Sequence, residues 1–514
     1  MGEWESGGVG DKSGRKLLYI SILIGAFLRF YRLGYQSIWG DEAMTLQKYA
    51  SGETLSQVVS AIWRNAFHPP LYFIIVHYWY MLGHSEFIMR FPSAVFGIAS
   101  IPVMYLLVRR IFGPTAAGLS ALVLALSPFH IWYSQEARMY TLQVLLMLCS
   151  MLFFVRAWQT RRPLDFALYV VITSLGLYTH IGTIFLVISQ GVFVFCAIIK
   201  DWRRNIAWIG VQAMVLMAFM PWILQFLAVR STHSGVTAIG FERDASPLHL
   251  GYGLYTFALG YSFGPSVSAL HTLSPEDVIR QYLPAIILPM LVFGALAVLG
   301  LVHGYRMNRM GFWLVLSHLS VPMVLAGAAS MMPGVPLNPR YLTAAVVPFW
   351  IALALGVEVC LRGRFLRLIP AAAFLSILLS LYNNYFEPVY AKQDVRSAAA
   401  FINERARAGD VIVISSVELG GPFIYYYKRH DVPYVGYPPG VGFVEQEKLA
   451  RDMGGILKGR KRAWLVLGRT WSSDPHGIIP SEFRTRYKLV EHKTYPGIDV
   501  RCFLLNSTDR QGHN

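Results

Sequence analysis

A polytopic α-helical membrane protein with a soluble C-terminal α/β domain is the fold class this sequence predicts, and three observations predict it. Of its 514 residues, 55% are hydrophobic and 14% charged, with a mean hydropathy of +0.44; a soluble domain carries about 25% charged residues. Apolar runs of roughly 18 to 24 residues recur, each long enough to cross a ~30 Å hydrocarbon layer as a helix. After Tyr382 the composition turns polar. A transmembrane β-barrel would instead show ~10-residue alternating segments, and the apolar content excludes disorder.

The runs predict about eleven spanning helices, at 17–34, 90–108, 115–133, 138–157, 164–180, 181–199, 206–229, 282–303, 310–332, 341–361 and 366–383. Every second connection is basic: Arg109/Arg110, Arg156/Arg161/Arg162, Lys200/Arg203/Arg204, Arg306/Arg309 and Arg362/Arg364/Arg367, with Lys12, Arg15 and Lys16 ahead of the first run. The positive-inside rule puts all six clusters in the cytoplasm. This implies a cytoplasmic tail at 1–16, a transmembrane domain at 17–383 and an extracytoplasmic domain at 384–514, in a multi-pass protein of the inner or plasma membrane. No small-x-small cleavage site follows Leu17–Leu28, so that run reads as the first helix rather than a removed signal.

The net charge is +16. Because most of the Lys and Arg punctuate apolar runs, the charge reflects membrane topology and no nucleic-acid partner is expected. Cys149, Cys196 and Cys360 lie in apolar runs and Cys502 stands alone, which gives neither a disulfide framework nor a metal-type CxxC.

Two long non-cytoplasmic loops are expected, at about 35–89 and 230–281. The first holds Leu71–Leu82, too short to span and therefore interfacial or re-entrant. The second is rich in Gly, Tyr and Ser over Gly251–Ser268 and reads as lying on the membrane surface. In the C-terminal domain, Val395–Ala408 reads as an amphipathic helix, Val411–Ile414 and Trp464–Leu467 as buried strands, Gly420-Gly421-Pro422 as a turn, and Tyr487–His492 and Val500–Leu505 as further strands. The sequon Asn506-Ser507-Thr508 stands near the C-terminus.

Asp41 and Glu42 stand together just outside the first helix. A carboxylate there serves either as a general base for an attacking hydroxyl or amine or as a helix N-cap. Glu136, Arg138 and Tyr140 sit at the outer end of the fourth helix. Glu136 and Tyr140 are spaced to share a helix face; Arg138 suits a phosphate or carboxylate, or snorkels at the interface. Arg340 opens the tenth helix, where a cation opposes the macrodipole and needs an anion: a lipid phosphate or an internal carboxylate. His180 ends the fifth helix, and His68-Pro69-Pro70 gives the short apolar helix a rigid start. His68, His130, His180, Asp41 and Glu42 match no metal-ligand spacing, so no metal or other cofactor is expected. Under one topology all the charged candidates fall on the outer face, which suits transfer chemistry on a phosphate-bearing lipid.

Several motifs occur in a telling order: Asp41-Glu42, His68-Pro69-Pro70-Leu71, Arg90-Phe91-Pro92-Ser93, Ser134–Tyr140, Tyr178-Thr179-His180 and Pro339-Arg340-Tyr341-Leu342. Over residues 17–383 the series resembles the C-type glycosyltransferases related to protein O-mannosyltransferases (dolichyl-phosphate-mannose-protein mannosyltransferase-like, family 39-like) and lipid A aminoarabinose transferases. The resemblance implies metal-independent, inverting hexosyl or pentosyl transfer from a polyprenyl-phosphate sugar to a protein, lipid or polysaccharide acceptor, among membrane lipids. It implies Asp41 as the base and Glu42 as a catalytic partner that positions acceptor or sugar. Arg138, Arg340, His180 and His68 would hold the donor phosphate, and Glu136, Tyr140 and Tyr341 would position substrate. The aminoarabinose-transferase pattern has Lys where His68-Pro69 stands, a departure that argues against that particular activity. The competing reading is a polyprenyl-lipid transporter or flippase, or a non-catalytic lipid-binding protein. Transporters show repeat symmetry and midplane polar helices, and no repeat is visible here.

Overall fold

The computed structural model describes residues 9–52, 54–65, 68–232, 248–331, 338–440 and 442–505. The sequon near the C-terminus and residues 233–247 of the second long loop lie outside them. Helices occur at each of the eleven expected positions: Val9–Phe30, Glu86–Phe112, Pro114–Leu126 with Pro128–Ser134, Tyr140–Thr160, Pro163–Thr179, Ile184–Lys200, Ala207–Thr232, Pro275–Met307, Arg309–Ala329, Pro339–Ala345 running into Val346–Cys360, and Leu368–Phe386. Among the described residues eight are long and apolar enough to cross a membrane, nine if the bent pair is one span. The others fall short for visible reasons. Val9–Phe30 holds Asp11, Lys12, Arg15 and Lys16 in its first half, and Pro163–Thr179 has 17 residues.

The basic clusters gather at one end of the bundle. Arg109 pairs with Asp11 at 2.9 Å, Arg156 with Asp165 at 2.9 Å, and Arg161 donates to Asn205 at 2.9 Å. Within the bundle, helices approach closely where side chains are small: a Cβ on Gly300 would lie 1.8 Å from the Ala352 carbonyl oxygen, and one on Gly356 2.0 Å from that of Leu296. Small residues at such crossings let backbones touch where lipid supplies no hydrophobic drive. Buried polar groups pair across helices, Ser150 with Thr173 at 2.7 Å and Tyr169 with Gln190 at 2.8 Å.

The expected single span 115–133 is broken at Ser127-Pro128, with a 56° bend. Pro128 has no N–H to continue the ladder, and the Ser127 hydroxyl caps the second piece through the His130 N–H. The freed carbonyls of Leu124 and Ala125 accept from Arg29, each at 3.1 Å, so a fully buried guanidinium replaces the missing helical donors.

The apolar run in the first loop forms the helix Leu71–Tyr80, which buries Tyr72, Phe73 and Val76. In the second loop the described residues form Leu248–Leu259 and Val267–Thr272.

The C-terminal domain is a five-stranded sheet of β1 (Asp410–Ile414), β2 (Tyr434–Gly436), β3 (Arg462–Leu467), β4 (Lys488–Tyr495) and β5 (Ile498–Leu504), in the order β2-β1-β3-β5-β4. β1 is parallel to β2 and β3, whereas β5 pairs antiparallel with β3 and β4. Ile412, Ile414, Trp464 and Val466 face Val395–Arg405 and Val417–Tyr426, while Val411, Val413, Ala463 and Leu465 face Gln446–Leu457 and Ile478–Arg486. The period-2 alternation thus buries both faces.

One expectation is corrected here: Gly420-Gly421-Pro422 lies inside the helix Val417–Tyr426 rather than in a turn. The Ser416 hydroxyl caps its start. Tertiary contacts take up backbone acceptors there: the Gly421 carbonyl accepts from Gln47 at 3.0 Å, and the Glu418 carbonyl packs against Gly40. The same face is pinned to the bundle by Arg396–Glu86 at 2.6 Å and Tyr426 to Glu86 at 2.6 Å. The α/β domain therefore sits on the bundle end opposite the basic clusters.

Candidate active site

At that end, segments between helices converge. Asp41 lies in the five-residue helix Gly40–Met44. Its carboxylate makes no cap; it receives Arg340 at 2.9 Å and faces Arg138 at 3.9 Å, and 28% of its side chain stays exposed. Arg138 also donates to the Thr45 hydroxyl at 3.0 Å and lies 3.4 Å from His68 Nε2. The His68 ring stacks on His180 with centroids 6.1 Å apart, and Tyr140 packs 5.7 Å from His180. His180 Nδ1 accepts the Gly182 N–H at 3.0 Å, which leaves Nε2 as the donor of a neutral ring. Tyr341 lies against the Arg340 guanidinium, 5.4 Å from its ring centroid.

Electrostatics follow from this packing. Burial pushes the Asp41 carboxyl up, but Arg138, Arg340 and, from the α/β domain, Arg469 together bring it below the ordinary value. Burial, then Arg138, holds both imidazoles low: His68 well below the usual histidine value, His180 at about 3. Both are neutral at physiological pH and act as hydrogen-bonding groups. Two guanidiniums against one carboxylate leave a positive excess, which favours an anionic ligand.

Glu42 and Glu136 occupy a second layer behind Asp41. Glu42 is fully buried and bidentate to Arg90, 2.8 Å on each oxygen, and it accepts the Ala137 N–H at 2.8 Å. Burial would raise its carboxyl, yet Arg90, then Lys392, hold it at about 2. Glu136 pairs with Lys392 at 3.0 Å and is raised, burial outweighing that lysine. The expectation that Glu136 and Tyr140 share a helix face is also corrected. Residues 135–139 are non-helical because the Ala137 N–H goes to Glu42, so Glu136 turns towards Lys392 while Tyr140 turns towards His180. Both carboxylates are buried.

His130, grouped in the sequence with the other histidines, sits instead against Arg29 at 2.8 Å. Among the described residues no three His, Cys, Asp or Glu gather closely enough to hold a metal ion, and the charge of Asp41 is matched by guanidiniums. Sequence reasoning missed Lys392, Thr45 and Arg469, and it quoted Arg90 in a motif without giving it a role. Only Arg90 carried a signal, as a charge opening an apolar run, which marks a functional or paired group by default.

A family model for dolichyl-phosphate-mannose-protein mannosyltransferases matches residues 67–224. An uncharacterised protein of Aquifex aeolicus is 29% identical over 212 residues, a stretch that is 40% of this chain and 41% of that relative. The oligosaccharyltransferase AglB of Archaeoglobus fulgidus, solved with an inhibitory peptide and a dolichol-phosphate, superposes with a TM-score of 0.57 at 13% identity, over 95% of this chain and 74% of that one. ArnT of Cupriavidus metallidurans, solved with undecaprenyl phosphate, gives 0.48 at 14% identity, over 94% and 97%. The chain is a multi-pass membrane protein with the fold of the C-type glycosyltransferases.

Proposed function

We propose that this protein transfers a sugar from a polyprenyl-phosphate donor to an acceptor hydroxyl or amine, with inversion, at the outer face of the cell membrane. The observation that carries this reading is the Asp41 carboxylate, partly exposed and flanked by Arg340 and Arg138 within an excess of positive charge. The acceptor oxygen or nitrogen attacks the anomeric carbon and its proton passes to Asp41. The bond from that carbon to the phosphate oxygen breaks, and the electron pair leaves with the polyprenyl phosphate. Arg138 and Arg340 stabilise the leaving charge from fixed positions, and His68 and His180 add neutral hydrogen-bonding groups. Glu42 serves by fixing the loop that bears Arg138. That AglB was solved with a dolichol-phosphate and a peptide supports a lipid donor and a separate acceptor.

The free site holds its base in check, because Arg340 is bound to Asp41. A donor phosphate competes for that guanidinium, so the basicity of Asp41 rises when the donor is seated. The acid limb of kcat/KM, which reports the free enzyme, is therefore expected at lower pH than the limb of kcat. Coincident limbs would remove the exchange of partners.

The direct test offers the purified protein in nanodiscs a panel of polyprenyl-phosphate sugars and follows release of polyprenyl phosphate. Turnover of one donor establishes the transfer and names the sugar; binding without release from any donor, with acceptors supplied, would overturn the reading in favour of a lipid carrier. Arg340→Ala is expected to weaken donor binding about 10- to 100-fold, the worth of ~1.5–3 kcal/mol for a hydrogen bond to a charged group. Unchanged donor affinity would remove Arg340 from the phosphate.

A further inference from the structure

We infer that Lys392, in the segment joining the last helix to the α/β domain, is a positioning residue that holds the Glu136–Arg138 loop and makes turnover depend on how that segment is docked. The inference rests on the proposed transfer. The Lys392 side chain is 9% exposed, with Nζ 3.0 Å from Glu136 Oε1 and 3.7 Å from Glu42 Oε2. It is flanked by two indoles, 5.7 Å from the Trp39 centroid and 5.6 Å from that of Trp132. Its backbone N–H donates to Gln36 at 3.0 Å, and Asp394 accepts from Ser37 at 3.0 Å. The joining segment therefore grips the stretch that leads to Asp41.

Among the described residues Lys392 supplies the charge that faces Glu136. Glu42 already has Arg90 on both oxygens, whereas Lys392 is the cation paired with Glu136, and Glu136 Oε2 has no hydrogen-bond partner among the described residues. A buried carboxylate that loses its cation must move to water or take a proton. Glu136 stands two residues before Arg138, so its movement drags the guanidinium that faces Asp41. Displacements near 1 Å in such a site cost on the order of 10²-fold in rate.

The test uses the full chain and three variants: Lys392→Met, Lys392→Arg and Lys392→Met with Glu136→Gln. Lys392→Met is expected to lower kcat at least ~10-fold, Lys392→Arg to keep most of it, and the double variant to regain most of the loss because both charges are gone. The ratio of Lys392→Met to wild-type activity should rise as pH falls, since protonating Glu136 removes the unpaired charge. Hydrogen exchange of 135–140 should speed up in Lys392→Met alone. Losses that simply add, or a pH-independent ratio, would overturn the inference. Should the wild type transfer no sugar, the proposed function falls, and the exchange measurement still decides: unchanged protection of 135–140 in Lys392→Met would remove the positioning role.

Discussion

Asp41→Asn is expected to lower turnover by ~10²–10⁴, the usual worth of a positioned general base, while donor affinity holds or tightens. The substitution keeps the size of the side chain and removes the charge that receives the acceptor proton in the proposed transfer. It leaves the backbone carbonyl of Asp41, which accepts from Thr45 at 2.9 Å, in place. With no carboxylate to hold them, Arg340 and Arg138 meet the donor phosphate without a competitor. The pair of measurements is donor binding and single-turnover release at saturating donor. Full activity would remove Asp41 as the base; loss of donor binding together with turnover would make it a scaffold for the arginines.

Arg90→Met is expected to destabilise the protein by about 3–5 kcal/mol, the cost of removing one partner of a buried ion pair. Arg90 is 1% exposed. It makes two bonds to Glu42 and donates to the carbonyls of Leu33 at 3.1 Å, Gln36 at 2.8 Å and Ser37 at 3.0 Å. One guanidinium thus ties the Glu86–Phe112 helix to the turn after the first helix and to the segment bearing Asp41. The contribution of Glu42 is present above its unfolded pKa of ~4.3 and is lost as pH falls towards about 2, because protonation abolishes the pair. Thermal unfolding in detergent should therefore show the wild type losing stability over that window, with the penalty of Arg90→Met shrinking there. Adding Glu42→Gln to Arg90→Met should recover part of the loss at neutral pH. An unchanged melting temperature in Arg90→Met would refute the assignment.

The motifs led to Asp41, Arg138, His68, His180, Tyr140 and Arg340, and the structure gathers these at one end of the bundle. Their grouping was legible because a charge or imidazole at the end of an apolar run has few places to go. Lys392 was not legible: a lysine in a polar stretch reads as solvated, and nothing local betrays a partner such as Glu136, far away in sequence. Glu136 itself was misplaced because helical spacing assumes a helix, and one N–H diverted to Glu42 was enough to break it. Gly420-Gly421-Pro422 misled in the opposite direction, as contacts with Gln47 and Gly40 support a helix that its residues do not favour.

By itself the sequence determined the helical bundle, the side on which its basic clusters gather, and four of the five strands of the C-terminal sheet. Those follow from forces read one segment at a time: backbone groups in an apolar layer must bond within a helix, and a sheet covered on both faces needs apolar residues at both. Only the tertiary structure decided how differently the two adjacent carboxylates are surrounded. Asp41 and Glu42 are neighbours of the same chemical type, and nothing local separates them. Packing buries Glu42 on Arg90 and leaves Asp41 partly exposed between two guanidiniums, so their surroundings differ because of partners brought from distant segments.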